Sequence, residues 1–157
     1  MIRRTRRRTK AIQTRINHNY TISCLDGEGR SVSFRDITGK DLELLDLILS
    51  KDSDRVESSH VIDILSLLCT NSGANFYRFT PKIIGKLYEE VTTHILKNYI
   101  SKENWLRQCF SIQNGSFQNL DAMEHVPMSK FVAMCQIHKE AIDQLNTPAA
   151  VNSSEVQ

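Results

Sequence analysis

The sequence predicts an α+β fold that is mainly α: a basic arm, an N-terminal β-hairpin, then four to five packed helices. Three observations carry this. Residues 20–25 (YTISCL) and 30–35 (RSVSFR) alternate β-favouring apolar and polar side chains on either side of the turn signal DGEG. Beyond residue 38 the apolar residues recur at helical spacing. Helix-start signals then stand in front of those stretches, at Thr38, at Thr80-Pro81, at Ser101 and at Pro127.

In the hairpin, Ile22 and Cys24 on one strand and Val32 and Phe34 on the other are expected to face the core. A two-stranded hairpin is marginal alone, so it must lean on the helices that follow. Thr38 reads as an N-cap with Asp41 as an acidic capping-box partner, which opens a helix over 39–49. A second helix is expected over 58–69. In both, leucines and isoleucines occupy a wider arc than a surface helix needs, so these helices are the centre of the fold or partly an interface. Residues 71–75 (NSGAN) read as a loop leading to the aromatic run Phe76, Tyr77 and Phe79.

Thr80-Pro81 starts the most periodic segment, a helix to about residue 100, with Ile84, Leu87, Tyr88, Val91, Ile95 and Tyr99 on one stripe. Further helices are expected over 101–112, in a short turn at 120–124, and from Pro127 to about residue 145. The last places Phe131, Met134, Cys135, His138, Ala141, Ile142 and Leu145 on one face. The organisation is an arm (1–17), one domain (18–146) and a tail of loop composition (147–157). With 157 residues, 40% of them hydrophobic and 24% charged, the chain suits one core rather than two. Its apolar runs are interrupted, as Asp63 and Ser66 interrupt 62–68, so neither a membrane span nor a secretory leader is expected.

The formal charge of +2 conceals a division. Residues 1–15 hold Arg3, Arg4, Arg6, Arg7, Arg8, Lys10 and Arg15 with no acid, a charge of +7, and the remaining chain carries −5. Eight of the acids fall between residues 36 and 63. The seven basic residues are the candidate partner-binding arm, suited to an acidic protein groove or to phosphates, where guanidinium groups release counterions together. Aromatic residues do not interleave with them, so base stacking on the arm is not expected. Leu44, Leu47, Phe76, Tyr77 and Phe79 are the candidate apolar contacts, because aromatics and surplus leucines anchor interfaces. For the three aromatics, closure of the core beneath the loop is the alternative, and the wide apolar arcs of the first two helices tip the reading toward an interface.

Catalytic signals are weaker. The glycines form no phosphate-binding loop, and neither G-x-S-x-G nor H-E-x-x-H occurs. Ser59, His60 and Asp63 lie within one helical turn, where neighbours seldom aim at one another as a triad requires. Cys135 and His138 have half-site spacing for zinc, but His94, His125 and Cys109 stand at no diagnostic distance. No metal, cofactor or small-molecule substrate is expected. The four cysteines form no C-x-x-C pair and are expected as reduced thiols in a cytoplasmic setting.

The stretch 21–45 (TISCLDGEGRSVSFRDITGKDLELL) resembles the opening of small baseplate-hub and tail-assembly proteins of large contractile-tailed bacteriophages. Phe34, Arg35, Ile37, Thr38, Gly39, Lys40 and Asp41 carry the similarity, and PMSKFVAMCQIHKEAIDQLN is similar to the closing helix of that class. The resemblance implies a non-enzymatic structural or assembly protein that works by protein–protein contacts, in the cytoplasm during assembly and then in the virion tail. The alternative is a nucleic-acid-associated module of ribosomal or packaging type that binds phosphates through the arm.

Overall fold

The computed structural model describes residues 15–17, 21–25, 31–49, 57–71 and 73–147, with side chains from residue 31 onward. Three antiparallel strands are followed by six α-helices among these residues, so the fold is α+β and mainly α. The strands are β1 (Arg15–Asn17), β2 (Thr21–Leu25) and β3 (Ser31–Phe34), in the order β1-β2-β3. The register opposes Ile22 to Phe34 and Cys24 to Val32, as the alternation predicts. Val32 and Phe34 are buried.

The hairpin is thus one strand short of the sheet. β1 pairs Arg15 with Ser23 and Asn17 with Thr21, which places Arg15 in the folded sheet rather than in a free arm and corrects the expected boundary at residue 17. The rest of the arm, Arg3, Arg4, Arg6, Arg7, Arg8 and Lys10, lies outside the described residues.

The free edge of β3 is covered by the chain that leaves the second helix. Arg35 N–H donates to Leu68 O at 2.9 Å, Thr70 N–H donates to Ser33 O at 2.9 Å, and the Asn71 carboxamide accepts from Ser33 N–H at 2.7 Å. An exposed row of strand donors and acceptors is a template for unwanted pairing, and this segment fills it.

The helices are α1 (Leu42–Leu49), α2 (Ser58–Leu68), α3 (Pro81–His94), α4 (Lys102–Ile112), α5 (Leu120–Glu124) and α6 (Met128–Asn146). Short 3-10 turns at Phe76–Arg78 and Leu96–Asn98 precede and follow α3. The local start signals work as read: Thr80 Oγ1 accepts from Ile83 N–H and Ser101 Oγ accepts from Asn104 N–H. The long helix from Pro81 ends six residues early, at His94, where the 3-10 turn redirects the chain.

The core is one cluster. Phe34, Leu45, Leu65, Leu68 and Val91 are fully buried, Phe34 stacks against Phe76 at 6.1 Å, and Trp105 meets Phe131 at 6.0 Å. The packing leaves α6 overhanging: Phe131 is buried, but every residue from Lys139 to Thr147 is exposed. The apolar face predicted for this helix is therefore core only in its first half.

Candidate interaction surfaces

The residues 35–41 tie the sheet to both ends of the helical layer. After Phe34 the chain turns away from the strand, and its polar side chains fold back on backbone groups that helix ends leave unpaired. Asp36, 6% exposed, accepts from Ile37 N–H at 2.8 Å and from Ser129 N–H at 2.9 Å, and the Ser129 hydroxyl also donates to it. A carboxylate from one end of the chain so caps the first turn of α6, where the helix dipole favours negative charge. Met128 N–H donates to Ile37 O beside it.

Asp41 receives both guanidinium nitrogens of Arg35, at 2.6 and 2.8 Å, together with the Thr38 N–H at 2.9 Å and the Thr38 hydroxyl at 3.0 Å. Arg35 also donates to Leu67 O at 3.2 Å, reaching the end of α2. Burial pushes the Asp41 carboxyl up, but the hydrogen bonds from Arg35 and Thr38 outweigh it and hold the group below the usual range. The Arg35 guanidinium is raised by the same hydrogen bond. The reach of Asp41 back to Thr38 is half of a capping box, and it draws residues 38–41 into a turn, so α1 starts at Leu42 rather than residue 39.

The next acid inward, Asp46 of α1, caps α4. It accepts from Lys102 N–H at 2.9 Å and from the Tyr99 hydroxyl. Burial, then the neighbouring carboxylate, raise the Tyr99 phenol. The Lys102 ammonium lies 4.3 Å over the Trp105 ring and donates to Gly39 O at 2.9 Å and Glu124 at 3.1 Å. Three of the eight acids between residues 36 and 63 are therefore structural caps rather than a solvated face. Asp41 is readable beforehand as the capping-box partner of Thr38, but the sequence holds no sign of the other two, since Asp36 and Ser129 are 93 residues apart and Asp46 and Lys102 are 56 apart.

The expected apolar contacts separate into surface and core. Leu44 and Leu47 stand out from α1, 44% and 63% exposed, and Tyr77 is 73% exposed. Phe76 is a correction: it is 2% exposed, packed between Phe34 and Phe79, and belongs to the core. Phe79 is half-buried, edge-on to Phe76 at 5.3 Å. Its ring, with Val61, Ile62, Ile84 and Tyr88, lines a groove of about 330 Å³ between α2 and α3, and Tyr77 stands at that groove. A second groove, about 440 Å³, runs between α4 and α6 and is lined by Ile100, Ile112, Val132, Cys135 and Ile142, with Lys139 and His138 among its polar groups.

The remaining candidates do not converge. Ser59 and Asp63 are exposed and His60 is half-buried, all on α2. Cys135 and His138 line the α4–α6 groove, but among the described residues no three His, Cys, Asp or Glu side chains gather to hold a metal. Burial, then the nearby Cys135, push the Cys109 thiol up to about 11. Among the described residues no helix is long and apolar enough to cross a membrane.

No family model matches the chain, and no curated protein or solved structure matches it.

Proposed function

We propose that this chain is a non-enzymatic structural or assembly protein that acts through protein–protein contacts in a large complex, with a phage tail baseplate as the assembly suggested by the resemblance at residues 21–45. The observation that carries the reading is the amount of large apolar side chain left at the surface in separate places, above all Leu44 and Leu47 on α1 and Tyr77 beside the α2–α3 groove. Scattered single apolar residues are ordinary, whereas a neighbouring pair such as Leu44 and Leu47 on one helix, and an exposed tyrosine at an apolar groove, mark contact surfaces.

The test is incorporation. Tagged protein is expected to co-sediment with assembled tails, and Leu47→Glu combined with Tyr77→Ala is expected to lower that fraction about tenfold while leaving circular dichroism unchanged. Wild-type protein absent from the particle and from every assembly intermediate overturns the reading.

The charge of +7 in residues 1–15 supports a second reading, a module that binds nucleic-acid phosphates. Nucleic-acid affinity with a steep salt dependence that disappears on removal of residues 2–10 favours this second reading over the first.

A further inference from the structure

We propose that the α4–α6 groove is a self-association site, closed by α6 of a second copy of this chain running antiparallel. The pairing stands whether or not the protein enters a larger assembly.

The overhang is the first observation. α6 has 19 residues, about 28 Å of helix, and its last eight, residues 139–146, are all exposed although Ile142 and Leu145 are among them. Leu145 is 86% exposed. Nothing within the described chain explains an apolar helix end held out in water.

The second observation is charge. The groove carries His138 and Lys139 among its polar groups and no carboxylate lines it. The helix beyond Lys139 is the converse, with Glu140 and Asp143 and no lysine or arginine to the end of the chain. Groove and overhang are thus complementary in both respects, apolar to apolar and base to acid. Because both belong to the same helix, a two-fold pairing satisfies each copy at once.

The register follows from spacing. Lys139 and Asp143 lie on the same side of α6, and their midpoint along the axis falls at the level of Ala141, whose side chain is on the opposite face. With the two-fold axis crossing the Lys139–Asp143 side at that level, each Lys139 faces Asp143 of the partner subunit, giving two equivalent ion pairs. Neither Lys139 nor Asp143 has an ion-pair partner among the described residues. The same arrangement brings the two Ile142 side chains, on the flank of that face and in the lining of the groove, toward each other. Apolar burial supplies the affinity, and the charges fix the register.

Light scattering on the full chain tests this, with Lys139→Asp, Asp143→Lys and the double exchange. The wild type is expected at twice 18.0 kDa in the micromolar range. Each single change sets like charges against each other twice and is expected to weaken the dimer about tenfold or more. The double exchange, which rebuilds both pairs with signs reversed, is expected to restore it. All positions are exposed, so helix content by circular dichroism stays constant across the series. A wild type monomeric at several hundred micromolar overturns the proposal. So do single variants that dimerise undiminished, or a double exchange that fails to recover the dimer.

Discussion

Asp36 shows how much one buried carboxylate controls. Three donors converge on it, and removing the side chain leaves Ile37 N–H and Ser129 N–H without their acceptor in a site only 6% exposed. Loss of a cap costs about 1 kcal/mol, and a buried unpaired donor adds about 1–3 kcal/mol. Asp36→Ala is therefore expected to lose about 2–4 kcal/mol in urea denaturation and to lower Tm by roughly 5–15 °C. Asp41 gives a pH signature instead. Its folded-state pKa is depressed, so its contribution is present above the carboxylate's ordinary value of about 4 and is lost as pH falls through the folded value. Asp41→Asn is expected to be the less stable protein at pH 7. The gap is of order 1 kcal/mol, because Arg35 is 37% exposed and solvent screens the pair. That gap narrows toward pH 3 as the wild-type carboxylate protonates. A gap that stayed constant from pH 7 to 3 would mean that the Arg35 pairing contributes nothing.

Among the elements, the contact between the 38–41 turn and α4–α5 leaves little room for added volume. A Cβ on Gly39 would stand 2.6 Å from Trp105 Cζ2 and 3.1 Å from the Glu124 backbone, and Trp105 is fully buried. The ring has no room to retreat, so Gly39→Ala is expected to cost about 1–3 kcal/mol. Trp105 is the single tryptophan, so its fluorescence reads the displacement directly. The elements also divide by how far away their determinants lie. The starts of α3 and α4 are legible because the capping side chain and the N–H it serves are three residues apart. β1 was not legible: its three residues, Arg15, Ile16 and Asn17, are too few to display an alternation, and only pairing with β2 makes them a strand. The C-terminal half of α6 shares the period of its first half, and periodicity records an apolar face without recording whether the domain covers it. Phe76 differs in the opposite direction, because an aromatic run after a loop suits a surface anchor and core closure equally, and only the stack on Phe34 decides for the core.

At the scale of the whole molecule, charge is divided along the chain rather than mixed. Six cations precede β1, and without residues 2–10 the formal charge changes from +2 to −4. Several of the body's acids are committed to caps, yet they still count in the net field that a polyanion meets. Any attraction to nucleic acid or heparin must then come from the first segment, and the body must oppose it. If all six cations engage phosphates, log affinity for duplex DNA falls against log salt with a slope of about −5. Removal of residues 2–10 is expected to take that slope to near zero and to abolish heparin retention at low salt, while the urea midpoint changes little. A truncated protein that still binds heparin would place the cationic site in the folded body, where Arg78, Lys82 and Lys86 are the exposed candidates beside the aromatic groove. A truncated protein that loses stability by several kcal/mol would mean that the segment packs on its own acidic body, and that the charge division is a contact within the fold rather than an offer to partners.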